Sequence, residues 1–423
     1  MSATVRARYK QTAVGEIPVD WHVELLGRIG QWYSGGTPSL SNELYWSGDI
    51  PWVSPKDMKL PRLSDAIDHI SPKAVADGAR VLPVGAVLMV IRGMILAHSF
   101  PVARVESPLA FNQDIKAVVP RSDIDSNYVL YWLMAHKQYL RGLITESTHG
   151  TKRLPTEALF RQEFCVPPLP EQRAIATALS DVDALLAKLD ALVAKKRNLK
   201  QAAMQQLLTG RTRLPGFSGK WDVKRLGALG DCLRGVTYKG DSDLWPHDTV
   251  ATKRLLRSNN VQNAKVVIED IQFVNSERVA VHQQLRGEDI LICMANGSKS
   301  LVGKAALFTV NDGYVYTFGA FMACFRTNTV VSSPSFIFYL FQTGRYKNFI
   351  NNLLAGSSIN NLSPGSIESL EFPIPSMPEQ AAIASILADM DAELVALEAR
   401  RDKTRAVKQG MMQELVTGRM RLV

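Results

Sequence analysis

The stretch "PEQRAIATALSDVDALLAKLDALVAKKRNLKQAAMQQLLTGRTRL" (170–214) is written a second time as "PEQAAIASILADMDAELVALEARRDKTRAVKQGMMQELVTGRMRL" (378–422). Aligned without a gap at an offset of 208 residues, the two copies agree at roughly half of their positions, so the chain is an internal duplication. In the first copy Ile175, Leu179, Val182, Leu186, Leu189 and Val193 recur at alternating steps of four and three. In the second, Ile383, Leu387, Met390, Leu394 and Leu397 do the same. That spacing is the apolar seam of a coiled coil, and it predicts a helix over about 171–208 that is on the order of 55 Å long. Pro170 and Pro378 mark the starts, and Thr209-Gly210 and Thr417-Gly418 the ends. A stripe of this kind can also bury itself against its own globular domain. Two equivalent helices with one seam pattern satisfy each other most simply as an antiparallel pair with an internal pseudo-twofold. Lys195, Lys196, Arg197 and Lys200, with Arg401, Lys403, Arg405 and Lys408, are expected to form a solvated or partner-facing flank.

The regions around the helices are globular. A chain of 423 residues with 46% hydrophobic composition builds more than one core. Its longest apolar runs, 84–91 and 334–341, fall well short of the ~18 residues a membrane span needs. The first residues show no apolar signal core, and the four cysteines, Cys165, Cys232, Cys293 and Cys324, form no CxxC pair. These features predict a cytoplasmic protein with reduced, core-packed thiols. The net charge of +9 suits a polyanionic partner.

The duplication extends beyond the helices. "WHVELLGRIGQWYSGG" from Trp21 and "WDVKRLGALGDCLRGV" from Trp221 share Trp, Val, Leu and Gly in register. Further on the halves diverge: 50–59 faces 254–263 and 90–103 faces 292–305 with little in common. Short β-branched and aromatic runs punctuated by Gly, Pro and Asn predict strands. "SNYVLYWLMAHKQYLRGL" and "PSFIFYLFQTGRYKNFINNLL" predict amphipathic helices. Each half is therefore expected to be a mixed α/β (α+β) domain, with boundaries 1–169, 170–214, 215–377 and 378–423.

The order of domain, PEQ helix, domain, PEQ helix resembles the specificity subunit of type I restriction-modification systems over essentially the whole chain. The residues that carry the resemblance are "PPLPEQRAIA" (167–176), "IPSMPEQAAIA" (374–384), "SGGTPS" (34–39), "FNQDIKAV" (111–118) and the "LLTGR" and "LVTGR" helix ends. The resemblance implies two target-recognition domains, each reading one part of an asymmetric bipartite sequence in double-stranded DNA. It implies that the helix pair sets the spacing and docks two DNA-adenine methyltransferase subunits, and that the complex recruits motor-nuclease subunits. S-adenosylmethionine, ATP and Mg²⁺ are then expected on the partner subunits and no cofactor in this chain. Two diverged readers fit an asymmetric site, where two identical ones would read a palindrome.

Base edges are read by Arg, Lys, Asn and Gln, and phosphates by cations, hydroxyls and backbone N–H groups. Loops that combine these types are the candidates. In the first half they are Ser34, Gly35, Gly36, Thr37, Lys56, Arg92, Asn112, Gln113, His149, Thr151, Lys152 and Arg153. In the second they are Tyr238, Lys239, Arg257, Asn259, Asn260, Asn296, Ser298, Lys299, Ser357, Ser358, Asn360 and Asn361. Asn112 and Gln113 have a rival reading as residues that close a turn.

Signatures of catalysis are missing. No polar-Pro-Pro-aromatic stretch suited to adenine methylation occurs, since "VPPL" (166–169) lacks both ends of it. No GxGxxG is present, and "GSKSLVGKA" (297–305) has Ala305 where a phosphate loop requires Ser or Thr. The histidines and cysteines show no zinc spacing, so no metal or catalytic residue is expected. Two other readings remain open here: a specificity subunit of a methylation-only system, and a coiled-coil adaptor that binds proteins rather than DNA.

Overall fold

The computed structural model describes residues 9–146, 150–355 and 360–422. The chain forms two compact units, residues 1–190 with 399–423 and residues 191–398. The two long helices, Leu169–Leu207 and Met377–Val416, are each shared between the units. Each unit thus holds the start of one long helix and the end of the other. Within the first unit Asp183 meets Lys408 and Glu171 meets Arg421, so partner numbers rise as helix numbers fall and the segments run antiparallel. In the second unit Lys200 meets Asp391 and Arg213 meets Glu379, with the same sense.

Helix ends follow their sequence signals. Pro170 and Pro378 stand inside the first turn rather than before it, where a missing N–H leaves no bond unmade. Gly210 and Gly418 lie beyond the last helical residues at φ +68° and +72°, the left-handed conformation that closes a helix at low cost.

Each unit is built on two sheets that share a run of five strands and a run of three in the same order, with one further edge strand on three of the four sheets. In the first, strands Gly30–Ser34, Ile115–Pro120, Val87–Val90, Val102–Val105 and Arg62–Leu63 lie side by side. A second sheet runs Asp68–Ile70, Ile50–Val53, Leu109–Phe111, Val81–Leu82. In the second unit the matching sheets are Gly230–Arg234, Met322–Thr327, Ile290–Cys293, Ala305–Leu307, Lys265–Val266, Val261–Gln262, and Leu244–Trp245, Gln272–Asn275, Thr252–Leu256, Tyr316–Phe318. The glycines shared by the two halves mark close approaches. A Cβ on Gly30 would stand 2.2 Å from the Val119 carbonyl oxygen, and one on Gly230 would stand 2.4 Å from that of Arg326.

The stretch 126–142 is two helices, Ser126–Ala135 and Lys137–Gly142, and the first is buried from Tyr128 to Leu133 rather than amphipathic. It packs on strands Val87–Val90 and Val102–Val105, while its Tyr131 hydroxyl donates to Asp183 of the long helix at 2.9 Å, so two faces are covered. Likewise 334–354 breaks into Pro334–Leu340, buried from Phe336 onward, and Gly344–Ala355, which buries Tyr346, Ile350 and Leu354 along one face.

The seam residues divide in what they touch. Ile175 and Leu179 join the core of the first unit beside Met412, Leu415 and Val416 of the other helix, and Ile383 and Leu387 join the core of the second beside Met204 and Leu207. The start of each seam therefore packs on its own globular domain and on the opposite helix at once. Further along, Leu189, Val193 and Leu394 are buried, and Val182, Leu186, Met390 and Leu397 are half-buried.

The repeated motif owes its chemistry to two internal clasps. Glu171 of the first PEQ is fully buried. It accepts from Trp21 Nε1 at 2.8 Å and from Arg421 Nε and Nη2 at 2.6 and 2.7 Å. Glu379 of the second is held in the same way by Trp221 Nε1 at 3.2 Å and by Arg213 Nε and Nη2 at 2.6 and 2.7 Å. The adjacent glutamines anchor a helix start. Gln172 Oε1 accepts from the backbone N–H of Asp125, and Gln380 Oε1 from that of Ser333, each the N-cap of the following buried helix.

The second clasp is Tyr131–Asp183–Lys408 in the first unit and Tyr339–Asp391–Lys200 in the second. Burial and the nearby Asp183 charge push the Tyr131 hydroxyl up to about 12, so it stays a donor. Lys408 and Lys200 are thus internal ion-pair partners, not members of a solvated flank. Lys196 and Arg197 also pair with Glu393 and Glu398 within the second unit. All four cysteines are buried and free, and burial pushes the Cys165 thiol up to about 11. No helix among the described residues is long and apolar enough to cross a membrane.

Candidate nucleic-acid interface

The two units share one loop framework, in which the same backbone hydrogen bonds recur at several equivalent positions. Gly36 N donates to Phe111 O at 3.0 Å, and Val236 N to Phe318 O at 2.8 Å. Asn112 N donates to Val53 O at 2.9 Å, and Gly319 N to Leu256 O at 3.0 Å. Ile91 N and Arg92 N share Asp114 O as acceptor, as Met294 N and Ala295 N share Phe321 O. Leu154 N bonds Ile91 O at 2.8 Å, and Leu362 N bonds Met294 O at 2.8 Å. Arg92 bridges Arg153 where Ala295 bridges Asn361. These pairs shift the sequence alignment by one residue: Ser54 faces Arg257, Lys56 faces Asn259, and Arg92 faces Ala295.

In the first unit this framework gathers the candidates into one cluster of loops. Thr37 donates its hydroxyl to Gln113 Oε1, and Lys116 Nζ donates to Ser34 Oγ at 2.7 Å. Gly35 packs so tightly against Phe111 and Asn112 that a Cβ would meet the Asn112 carbonyl oxygen at 2.3 Å, which explains the glycine. The Gly36 carbonyl accepts from Trp52 Nε1 at 3.0 Å. Arg92 is exposed, with its Nε 3.7 Å from Asp114, and Gly93 N bonds the Lys152 carbonyl. Lys152 pairs with Glu146, Lys56 pairs with Asp68 at 2.7 Å, Thr151 is half-buried and Arg153 is exposed. Asn112 is buried, and its Oδ1 accepts from Asp114 N at 3.1 Å, the geometry of a turn-closing side chain. Gln113 stays exposed.

In the second unit Tyr238, Arg257, Asn259, Asn296 and Asn360 come together around one solvent-open cavity of about 1070 Å³. Arg257 Nη2 donates to the Asp270 carbonyl at 3.0 Å and to its carboxylate at 2.9 Å; the same carboxylate accepts from Asn259 at 3.2 Å. Asn360 Nδ2 donates to Gly297 O at 3.2 Å, and Asn296 Nδ2 to Ser258 Oγ at 3.3 Å. Lys239, Ser298, Lys299 and Asn361 are exposed outside the cavity lining. Asn260 differs. It is 1% exposed, with its amide bonded to Val267 O, Glu269 O and Arg257 N, so it shapes the loop from within. His149, Ser357 and Ser358 lie outside the described residues.

Sequence reasoning missed Asp114, Asp270 and Phe321. The equal-length segments "FNQDI" (111–115) and "FGAFM" (318–322) carried a usable signal, because they place Phe321 opposite Asp114. Among the described residues no cluster of three or more His, Cys, Asp or Glu could hold a metal ion.

A family model described as the type I restriction modification DNA specificity domain matches the chain twice, over residues 18–195 and 218–405. The chain is 34% identical over 203 residues to the type I restriction enzyme StySPI specificity subunit of Salmonella potsdam, a match covering 47% of this chain and 43% of that protein. It is 21% identical over 422 residues to the type I restriction enzyme MjaVIII specificity subunit of Methanocaldococcus jannaschii, covering 96% and 94%. Matches to three of the curated relatives span only 41–43% of the relative's length. Among solved structures, the S subunit of a type I restriction-modification system from M. genitalium shares the fold with a TM-score of 0.58. It is 14% identical and covers 93% of this chain and 96% of that one.

Proposed function

This chain belongs to the type I restriction modification DNA specificity family, and from that premise we propose that it is the sequence-reading subunit of a type I restriction-modification complex. Each globular region reads one part of an asymmetric bipartite site in double-stranded DNA. The long helices set the spacing of the two parts and dock two DNA-adenine methyltransferase subunits, and motor-nuclease subunits join the full complex. The chain is not itself an enzyme. S-adenosylmethionine, ATP and Mg²⁺ belong to the partners.

The observation that carries this reading is the loop framework whose backbone hydrogen bonds recur in both units while the side chains mounted on it change. A scaffold held constant under variable donors and acceptors is what two different half-sites require. Ser34, Thr37, Lys56, Arg92, Gln113, Lys152 and Arg153 are the readers in the first unit. Tyr238, Lys239, Arg257, Asn259, Asn296, Ser298, Lys299, Asn360 and Asn361 are the readers in the second. Gly35, Gly36, Asn112 and Asn260 shape their loops.

Binding of the full chain, assembled with its methyltransferase, to a duplex carrying its site tests the reading. Affinity is expected to fall steeply and log-linearly with salt, and to exceed that for a scrambled duplex by about 10³-fold or more at equal salt. Salt-insensitive binding with no sequence preference would instead identify an adaptor.

A further inference from the structure

The two units differ in chemical character at four equivalent positions of the shared framework. In the first these are Arg92, Asn112, Gln113 and Asp114, all polar and engaged with one another or with Thr37. In the second they are Ala295, Gly319, Ala320 and Phe321. Three polar side chains of the first unit thus face small residues in the second, Asp114 faces Phe321, and all four of the second unit's residues line the cavity. Phe321 remains in its wall, 71% exposed. Beside small or apolar Ala295, Ala320 and Met322, the lining carries the amides of Asn259, Asn296 and Asn360, the hydroxyls of Thr237, Ser258 and Tyr238, and Arg257 paired with the Asp270 carboxylate.

A lone exposed hydrocarbon ring in a field of hydrogen-bonding groups calls for a surface of the same composition. Among the base edges in the major groove, the one apolar group is the C5-methyl of thymine, set beside the acceptors and donor of its A·T pair. We infer that Phe321 is a specificity-determining residue of the second unit that packs on the methyl group of a thymine in its half-site. This rests on the DNA-reading function proposed above. A wedge driven between stacked bases is the competing role for an exposed Phe. Its geometry fits less well: the Phe321 carbonyl is pinned by Met294 N at 2.9 Å and Ala295 N at 3.2 Å, and the ring lines a concavity rather than crowning a protruding tip. The first unit, with Asp114 there, makes no such demand.

The test starts from the half-site that changes when the second globular region is exchanged for another. In synthetic duplexes, each thymine of that half-site is replaced in turn by uracil, which removes the methyl and leaves the hydrogen-bonding edge intact. Affinity is measured for the full chain assembled with its methyltransferase. One position is expected to lose about fourfold on replacement, the worth of one buried methyl-sized group. In Phe321→Ala the difference between thymine and uracil at that position vanishes, while Phe321→Leu keeps part of it and Asp114→Ala leaves it unchanged. Because Phe321 is exposed, these variants remain folded. The inference is overturned by a half-site without thymine on either strand, by uracil tolerated everywhere, or by a thymine preference that persists in Phe321→Ala. A uniform loss of affinity in Phe321→Ala, with the thymine preference unchanged, would identify a wedge. Loss of sequence dependence in the parent complex would fell the DNA-reading function itself, a separate outcome.

Discussion

Replacing Glu171 with alanine is expected to destabilise the first unit by about 3 kcal/mol, the lower end of the range for breaking a buried charge pair. The carboxylate is fully buried and receives three hydrogen bonds, two from Arg421 and one from Trp21. Without it the indole N–H of Trp21, itself fully buried, has no acceptor, and an unmade buried bond is costly. Arg421 retains Asp20, at 2.9 Å through both terminal nitrogens, but that pair is at the surface and contributes little. Glu171→Gln keeps an acceptor and loses the charge, so a smaller loss, about half, is expected. Amide exchange measures the effect by region. Protection should fall across 9–190 and 399–422 and hold across the second unit, and Glu379→Ala should produce the mirror result. A change below about 0.5 kcal/mol would mean the clasp is incidental.

Gly235→Ala is expected to cost about 3 kcal/mol and to disturb the second candidate interface directly. A Cβ at this position would stand 2.0 Å from the Gly319 carbonyl oxygen, a backbone atom that cannot swing aside. Relief requires the strand ending at Arg234 to part from the loop at 319. That loop carries Phe321, and the neighbouring bond from Val236 N to Phe318 O fixes its position. Equilibrium denaturation gives the stability loss. Binding to the half-site of the second unit should weaken while the other half-site is read normally. Gly36→Ala is the control. Its position is open, with nothing within 4 Å of a new Cβ, and it should leave stability nearly unchanged.

The duplication, the helix spans and the seam were legible because periodicity and repetition are properties of neighbouring letters. So was the pairing of Gly30 with Gly230, whose need for glycine comes from a close approach. The role of PEQ was not. Glu171 finds Trp21 at a separation of 150 residues and Arg421 at 250, and no local pattern reports such a partner. Helix 126–135 looked amphipathic because Tyr and Trp count as mixed residues. The tyrosine hydroxyls are in fact satisfied inside, Tyr128 by the Cys165 carbonyl and Tyr131 by Asp183. At the candidate interface, five of the side chains chosen by residue type line one cavity. It could not separate Asn260, buried and bonded within its loop, from Asn259 beside it, which is exposed. Phe321 escaped because an aromatic in "GAFMACF" reads as strand core, whereas the folded chain leaves its ring exposed one residue before the strand Met322–Thr327.

Whether each unit reads its own half of one DNA site is decided by sequencing methylated adenines in cells that carry the methyltransferase with this chain, with no chain, or with the chain bearing a foreign first globular region. Two half-site readers should give methylation at one asymmetric motif of two short blocks around an unspecified gap, dependent on the chain, with a single block altered by the exchange. Methylation that is the same with and without the chain, or an exchange that alters both blocks or neither, would contradict that reading.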